Sequence, residues 1–479
     1  MDPTFLSAKR QAALIRRGAI GCRELLDHYI ARVERLDGRI NAVVVRDFER
    51  ARKRAAALDR AKATGGKLHG VPMTIKESFD IAGLPTTWGM PALKDHRAKA
   101  DSVTVARYKA AGAVFFGKTN VPLNLADWQS FNAVYGTTGN PWDPARTPGG
   151  SSGGAAAALA AGLTGMEAGS DIGASIRNPA HYCGVFGHKP SWGICPQTGH
   201  AVFDNLDQLD MAVVGPMARS AGDLAIGLEV MAGPEDSEAA WQLRLPKPRA
   251  TAWAGLRVAV MTAHPCSDVD TEMQEELERL AKVLRREGAK VSLTARPEFD
   301  LGAGHGLYIE MLRATTAVGM DDAAAAQWQA VRDGQKPDDP SYYAQMARGI
   351  TMSHRHFLQK NETRVRMRRA WAAFFRDWDV LLCPPAASPA FPIDQAGERH
   401  QRSIEVNGKR VPVIDQMFWA GLASFYQLPA TVAPLGLSST GLPFGVQVLG
   451  GLYDDRTTIA VAGLLEKSWR GFVAPPGWE

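Results

Sequence analysis

Two stretches dense in glycine and serine flank a run of small residues between Pro148 and Pro190. The first reads Gly149-Gly150-Ser151-Ser152-Gly153-Gly154. The second reads Gly169-Ser170-Asp171-Ile172-Gly173-Ala174-Ser175-Ile176-Arg177-Asn178-Pro179-Ala180, and the region closes on Gly184-Val185-Phe186-Gly187-His188-Lys189-Pro190. Glycine at this density lets backbone N–H groups come close to a ligand and admits positive φ. A serine hydroxyl there becomes a nucleophile once a base stands beside it. A Gly/Ser run alone is as often a flexible linker. This one leads straight into residues 155–162, which read as a closely packed helix, and then into the second glycine loop. A Walker phosphate loop ends in Gly-Lys-Ser/Thr, and no lysine follows here. Gly149 to Gly153 formally matches the Gly-x-Ser-x-Gly of a nucleophile elbow, but an elbow follows a strand and Pro144 to Pro148 does not read as one. The residues point to a serine site of another kind or to a structural loop.

A candidate base lies upstream. Gly70-Val71-Pro72-Met73-Thr74-Ile75-Lys76-Glu77 reads as a buried strand that ends on a lysine. Most lysines are exposed. A buried one is different, because burial disfavours the ammonium and lowers the pKa, and a neutral amine can take a proton.

Taken together these segments resemble the amidase signature family. Its pattern is a Gly-Gly-Ser-Ser-Gly-Gly loop, then Gly-Ser/Thr-Asp-x-Gly-Gly-Ser-Ile-Arg-x-Pro-Ala, then Gly-x-x-Gly-x-Lys-Pro, with a Gly-Val-Pro segment upstream that supplies a lysine. Asn140-Pro141-Trp142-Asp143, Trp378 to Pro385, Phe418 to Pro434 and Gly441 to Gln447 also resemble family segments, so the resemblance runs from Leu14 to Leu465. Two departures are Ala174, where the family usually has glycine, and Ser191-Trp192 after Lys189-Pro190, where threonine commonly follows the proline. The resemblance implies a Ser–cis-Ser–Lys triad, with Ser175 as nucleophile, Ser151 as bridge behind a cis Gly150–Ser151 bond, and Lys76 as base. Ser152 is the second choice for the bridge. It implies an oxyanion held by the N–H groups of Ile172, Gly173, Ala174 and Ser175, with Leu125 on the acyl-pocket wall. Gly150, Ser152, Ser170, Asp171 and Arg177 take supporting roles, the last two as an ion pair. No cofactor or metal is implied.

The implied activity is hydrolysis of a small apolar or aryl carboxylic amide through an acyl-enzyme, with esters and carbamates as further substrates. Two alternatives stand beside it. One is the glutaminase subunit of a tRNA-dependent amidotransferase, which works with a partner chain. The other is a catalytically idle binding relative, which intact Lys76, Ser151 and Ser175 argue against.

The elements that must position these residues are legible in outline. Residues 4–64 read as helices, with Ser7 capping the first and Gly18 ending it. The second carries the stripe Leu25, Leu26, Tyr29, Ile30, Val33 and Leu36. Phe48 to Ala63 is a basic helix that reads as a solvated face. Residues 103–111 read as helix and 113–116 as strand, with Trp128, Phe131 and Tyr135 beyond them as channel wall or core. Strand 256–260, helix 270–287 and strand 290–293 give a β-α-β order. Residues 300–375 read as helical, and Tyr308, Met311, Tyr342 and Tyr343 make that region aromatic and methionine-rich. The fold class expected is α/β, a large mixed central β-sheet covered by helices on both faces. It forms one intertwined domain over residues 1–479, with an N-terminal helical segment 1–64 and a variable substrate-pocket region at about 300–430.

Composition bounds the setting. At 22% charged and 45% hydrophobic residues the chain is an ordinary globular sequence. A net charge of +5 over 479 residues is too small an excess to argue for nucleic acid. No run of about 18 apolar residues is present, so no membrane span is expected, and residues 1–20 have no continuous apolar core, so no signal peptide is expected. The five cysteines (Cys22, Cys183, Cys195, Cys266 and Cys383) are scattered without a Cys-x-x-Cys pair, which fits a reducing, cytoplasmic compartment. The partner expected is a small-molecule amide. A homodimer through the N-terminal helices is one arrangement consistent with the resemblance.

Overall fold

Helix starts follow the capping residues of the sequence. Ser7, Ser102, Ser220, Asp270, Asp300, Ser341 and Ser353 each accept a backbone N–H from the first turn of the helix they precede, satisfying donors that have no partner within the helix. The first helix is Ala8–Arg16, with Gly18 beyond it at φ +70°. The helix Cys22–Leu36 buries Leu25, Leu26, Tyr29, Ile30 and Val33. The basic helix is Phe48–Arg60, and its charges are answered locally: Arg50 pairs with Asp47, and Arg52 with Asp27 and Glu49. This computed structural model describes residues 2–61, 66–201, 208–249 and 251–479. The expected helix end at Ala63 lies outside the described residues.

Eight strands form the main sheet. Their order is Lys290–Ser292, Arg257–Val260, Val380–Cys383, Pro443–Leu449, Ala430–Leu437, Phe186–Lys189, Val213–Ala218, Glu167–Asp171. The first three pair in parallel and every later pairing is antiparallel, so the sheet is mixed, as expected. The β-α-β reading holds, with Thr271–Arg286 as the crossover helix. Every residue of Glu167–Asp171, Phe186–Lys189, Val213–Ala218, Val380–Cys383 and Pro443–Leu449 is buried. Successive strand residues face opposite ways, so unbroken burial means that both faces of the sheet are covered.

The lysine-bearing strand Pro72–Lys76 is not part of this sheet. It belongs to a three-stranded sheet, parallel to Val114–Thr119, which pairs antiparallel with Val43–Arg46. The physical reason lies in its hydrogen bonds. Thr74 N donates to Thr164 Oγ1 at 2.9 Å and Gly165 N to the Pro72 carbonyl at 3.1 Å. Residues at the turn before Glu167–Asp171 thus take the positions a ladder would need. The helix Gly153–Ala160 is buried at every position, which explains its run of alanine. Among the described residues no helix is long and apolar enough to cross a membrane.

Candidate active site

Lys76 is the last residue of its strand and has no exposed surface. The following amide, Glu77 N, donates to the Thr119 carbonyl at 2.8 Å and fixes the strand end. Lys76 Nζ donates to Ser151 Oγ at 2.6 Å and to Ser170 Oγ at 2.9 Å. Burial pulls its pKa down to about 7, with the Asp171 charge partly opposing this. Near neutral pH the amine is therefore neutral in a large fraction of molecules. Lys118 and Lys189 are also buried. Lys118 is held by the Pro85 carbonyl and by Thr86 Oγ1 at 2.9 Å, and Lys189 by the carbonyls of Pro190 and Leu428. Neither lysine donates to a serine hydroxyl among the described hydrogen bonds.

Ser151 follows a cis Gly150–Ser151 peptide bond, as expected. A side chain at Gly150 would collide with the Asp127 carbonyl oxygen, so this position has room only for glycine. Ser152, the second choice for the bridge, turns its Oγ to the backbone of Ser170, 3.4 Å from both N and O, and makes no hydrogen bond to Lys76 among the described residues.

The serine loops are tied to each other directly. Ser152 N donates to the Ser175 carbonyl at 3.0 Å. Asn178 bridges both loops: its Oδ1 accepts from Gly150 N at 3.0 Å, and its Nδ2 donates to the carbonyls of Gly150 at 2.6 Å and Ala174 at 2.9 Å. Sequence reasoning does not single out Asn178. Its only signal is a carboxamide directly after Arg177 in a stretch that reads as buried. Removing its side chain leaves two buried backbone groups, Gly150 N and Gly150 O, unpaired, each costing about 1–3 kcal/mol, while the Ala174 carbonyl keeps the Asn178 N–H at 2.7 Å. Asn178→Ala is therefore expected to lower the melting temperature and to cut kcat roughly 10- to 100-fold, since small misplacements of reacting groups have effects of that size. Steady-state kinetics beside thermal melts checks both.

Ser175 is 6% exposed. Before it, Ala174 adopts φ +70°, a left-handed conformation that costs about 1–2 kcal/mol for a residue with a Cβ. The family's glycine would adopt it freely. The strain is held by Asp171, whose Oδ1 accepts from Ala174 N at 3.0 Å and whose Oδ2 accepts from Ile176 N at 3.1 Å. This corrects one sequence expectation. The Ala174 N–H is spent on Asp171, so of the four expected oxyanion donors only those of Ile172, Gly173 and Ser175 stay in consideration. Two distant side chains take the carbonyls of this loop. Trp128 Nε1 donates to Gly173 O at 2.8 Å, and Tyr308 Oη donates to Ile172 O at 3.2 Å. Trp128, expected as channel wall or core, is buried and braces the loop. A Cβ on Gly173 would approach Met417 Cε at 3.2 Å and Tyr308 Oη at 3.6 Å, which places both side chains over this part of the loop.

Asp171 and Arg177 form the expected ion pair, 2.9 Å apart with both side chains fully buried. Burial alone would raise the Asp171 carboxyl; the Arg177 guanidinium outweighs it and holds the group below the usual carboxylate range. Leu125 is half-buried at φ +54°, three residues before Trp128.

A family model described as Amidase matches residues 24–459. The chain belongs to the amidase family. With the family comes the reaction class, hydrolysis of a non-peptide carbon–nitrogen bond. The chain is 34% identical over 486 residues to the indoleacetamide hydrolase of Bradyrhizobium diazoefficiens, covering 99% of this chain and 88% of that one. It is 31% identical over 506 residues to a glutamyl-tRNA(Gln) amidotransferase subunit from Anaeromyxobacter sp. (strain K), covering 98% of each. The crystal structure of a bacterial aryl acylamidase of the amidase signature family is similar in fold, with a TM-score of 0.82 at 26% identity and 99% of both chains covered.

Proposed function

We propose that this amidase hydrolyses a small carboxylic amide through Ser175, Ser151 and Lys76, with the acyl group carried on Ser175. The observation that carries this reading is the 2.6 Å contact of Lys76 Nζ with Ser151 Oγ, on a lysine that burial brings to a pKa of about 7. The neutral amine takes the Ser151 proton, and Ser151 takes that of Ser175. Ser175 Oγ then bonds to the carbonyl carbon, and the carbonyl oxygen becomes an oxyanion facing the N–H groups of Ile172, Gly173 and Ser175. The same relay returns a proton to the leaving nitrogen as the C–N bond breaks. Water, deprotonated by the same path, splits the acyl ester and restores Ser175. Ser170, the second hydrogen-bond partner of Lys76, orients the amine.

Similarity to an indoleacetamide hydrolase and to an aryl acylamidase supports an aryl or apolar amide as substrate. Esters and carbamates present the same carbonyl geometry. Similarity to a glutamyl-tRNA(Gln) amidotransferase component supports the glutaminase reading instead. A hydrolysis panel of glutamine, aliphatic amides, anilides, aryl esters and aryl carbamates separates the two, run on the isolated protein beside Ser175→Ala. The expected result is anilide or aryl amide turnover that falls about 10⁴-fold or more in Ser175→Ala. Turnover of glutamine alone would support the amidotransferase reading, and unchanged hydrolysis by Ser175→Ala would sink the mechanism.

A further inference from the structure

The helix Leu301–Thr316 links the serine loop to a pair of arginines. Tyr308 on this helix donates to the Ile172 carbonyl, three residues before Ser175. Arg313 lies five residues further along, about 7.5 Å up the helix axis. Arg313 Nη2 donates to the phenol oxygen of Tyr342. Arg399 Nη2 donates to the same oxygen at 3.1 Å, and Arg399 Nη1 donates to the Ala126 carbonyl at 3.1 Å. The contacts form an arc that leaves the loop carrying Ser175 and returns to the residue after Leu125.

The charges in this arc do not balance. Two guanidinium groups converge on one phenol, and among the described residues neither has a carboxylate within ion-pair distance. Glu398, adjacent to Arg399, caps its own turn and makes no ion pair with Arg399 among the described residues, and two other nearby acidic groups are taken. Glu310 pairs with Arg348 at 2.7 Å and Lys360 at 2.6 Å, and Asp127 pairs with Arg402 at 2.6 Å. Arg313 Nε is buried without a hydrogen-bond partner among the described residues. Arg313, Tyr342 and Arg399 are all half-buried, so an incoming molecule can reach them. Burial alone would raise the Tyr342 phenol; Arg399 and Arg313 outweigh it and bring the group below its ordinary value, a sign of the same excess of positive charge.

We propose that Arg313 and Arg399 bind a carboxylate at the far end of the acyl part of the substrate, which makes the preferred substrate an amide of a dicarboxylic acid. This rests on the amidase reading of Ser175 given above. A guanidinium fork matches a carboxylate in shape as well as charge. The acyl side follows from Arg399, which holds Ala126 beside Leu125, the residue assigned to the acyl-pocket wall.

The test uses two anilides of equal length, N-phenyladipamate and N-phenylhexanamide, which differ only in a terminal carboxylate in place of a methyl. Aniline release gives kcat/KM for both with wild type, Arg313→Gln and Arg399→Gln. Calorimetry gives their binding to Ser175→Ala. The expected preference for the adipamate is about tenfold or more in kcat/KM and in binding, the size of a charge-assisted hydrogen bond. It shrinks as salt is added and collapses towards unity in each arginine variant. A merely structural role of the arginines would lower both substrates together and leave their ratio intact, which overturns the proposal. So does a wild type that treats the two anilides alike or prefers the neutral one. If neither anilide turns over while Ser175→Ala still binds the adipamate more tightly, the arginine pair stands and the hydrolytic reading fails. Turnover of both without preference has the opposite meaning.

Discussion

Lys76→Met is expected to lower kcat/KM on any amide that the wild type hydrolyses by roughly 10³- to 10⁴-fold, the range lost when a general base is removed, while leaving the protein folded. Among the described residues the Lys76 amine is the one basic group hydrogen-bonded to Ser151, at 2.6 Å, and methionine keeps the apolar stem without the nitrogen. The wild-type pH profile reports the same group. The reactive form is the neutral amine, so kcat/KM rises about tenfold per pH unit on the acid side. It levels off above a pKa of about 7. A profile flat between pH 5 and 9, or one that falls through pH 7, would remove Lys76 from the role of base.

The same residue carries a stability signature with a definite sign. In the folded protein burial lowers the Lys76 pKa from its ordinary 10.5 to about 7. Between those values the unfolded chain holds a proton that the folded site has shed, so stability rises with pH across that window. Below about pH 7 both states are protonated, and the wild type bears the full penalty of a buried ammonium. Lys76→Met has no such slope. Melting temperatures of the two proteins are therefore expected to shift in the variant's favour as pH falls from 10 to 7, and to keep a constant difference below that. An inactive variant with this melting behaviour separates loss of the base from loss of the fold.

The site was legible where its chemistry is local in the chain. Ser151, Ser152, Ser170, Asp171, Ser175 and Arg177 lie within 27 positions, on the loop before one short helix and on the strand, turn and helix start that follow it, so a linear pattern holds nearly all of their mutual geometry. Lys76 stands out because an apolar strand ending on a lysine is unusual, yet the separate three-stranded sheet that carries it leaves no mark in the pattern. A strand reads alike whichever neighbour it pairs with. The braces are hidden or half-legible because they come from far away. Tyr308 lies 136 positions from the carbonyl it holds, and Trp128 45 positions from its own. Much of the aromatic content beyond residue 298 is core: Phe299, Trp371, Phe374, Phe375 and Tyr426 pack ring against ring. Helix and strand ends differ by one to three residues from those expected, as happens where capping and fraying decide the last turn.

Asp171→Asn and Arg177→Met should each destabilise the protein by about 3–5 kcal/mol, the cost of leaving one partner of a buried ion pair uncompensated. Both side chains are fully buried and 2.9 Å apart. The five N–H donors of Arg177 are all used. Nε and one Nη2 hydrogen go to Asp171, the other Nη2 hydrogen to Ser424 Oγ at 2.7 Å, and Nη1 serves the Ala420 carbonyl at 3.1 Å and Gln447 Oε1 at 2.6 Å. A cation so completely solvated by protein has no alternative partner when Asp171 loses its charge. The double variant Asp171→Leu/Arg177→Met removes both charges, so its loss of stability is expected to be smaller than the sum of the single losses. Activity should not recover with it. The Asp171 carboxylate is also the acceptor for Ala174 N and Ile176 N, and it holds Ala174 at positive φ directly before Ser175. Without those acceptors the loop that presents the nucleophile and its oxyanion donors loses the groups that shape it. Denaturation of the single and double variants, read beside kcat, checks both halves. Strict additivity of the stability losses would mean that the pair is not coupled, and full activity in the double variant would mean that the loop holds its shape without Asp171.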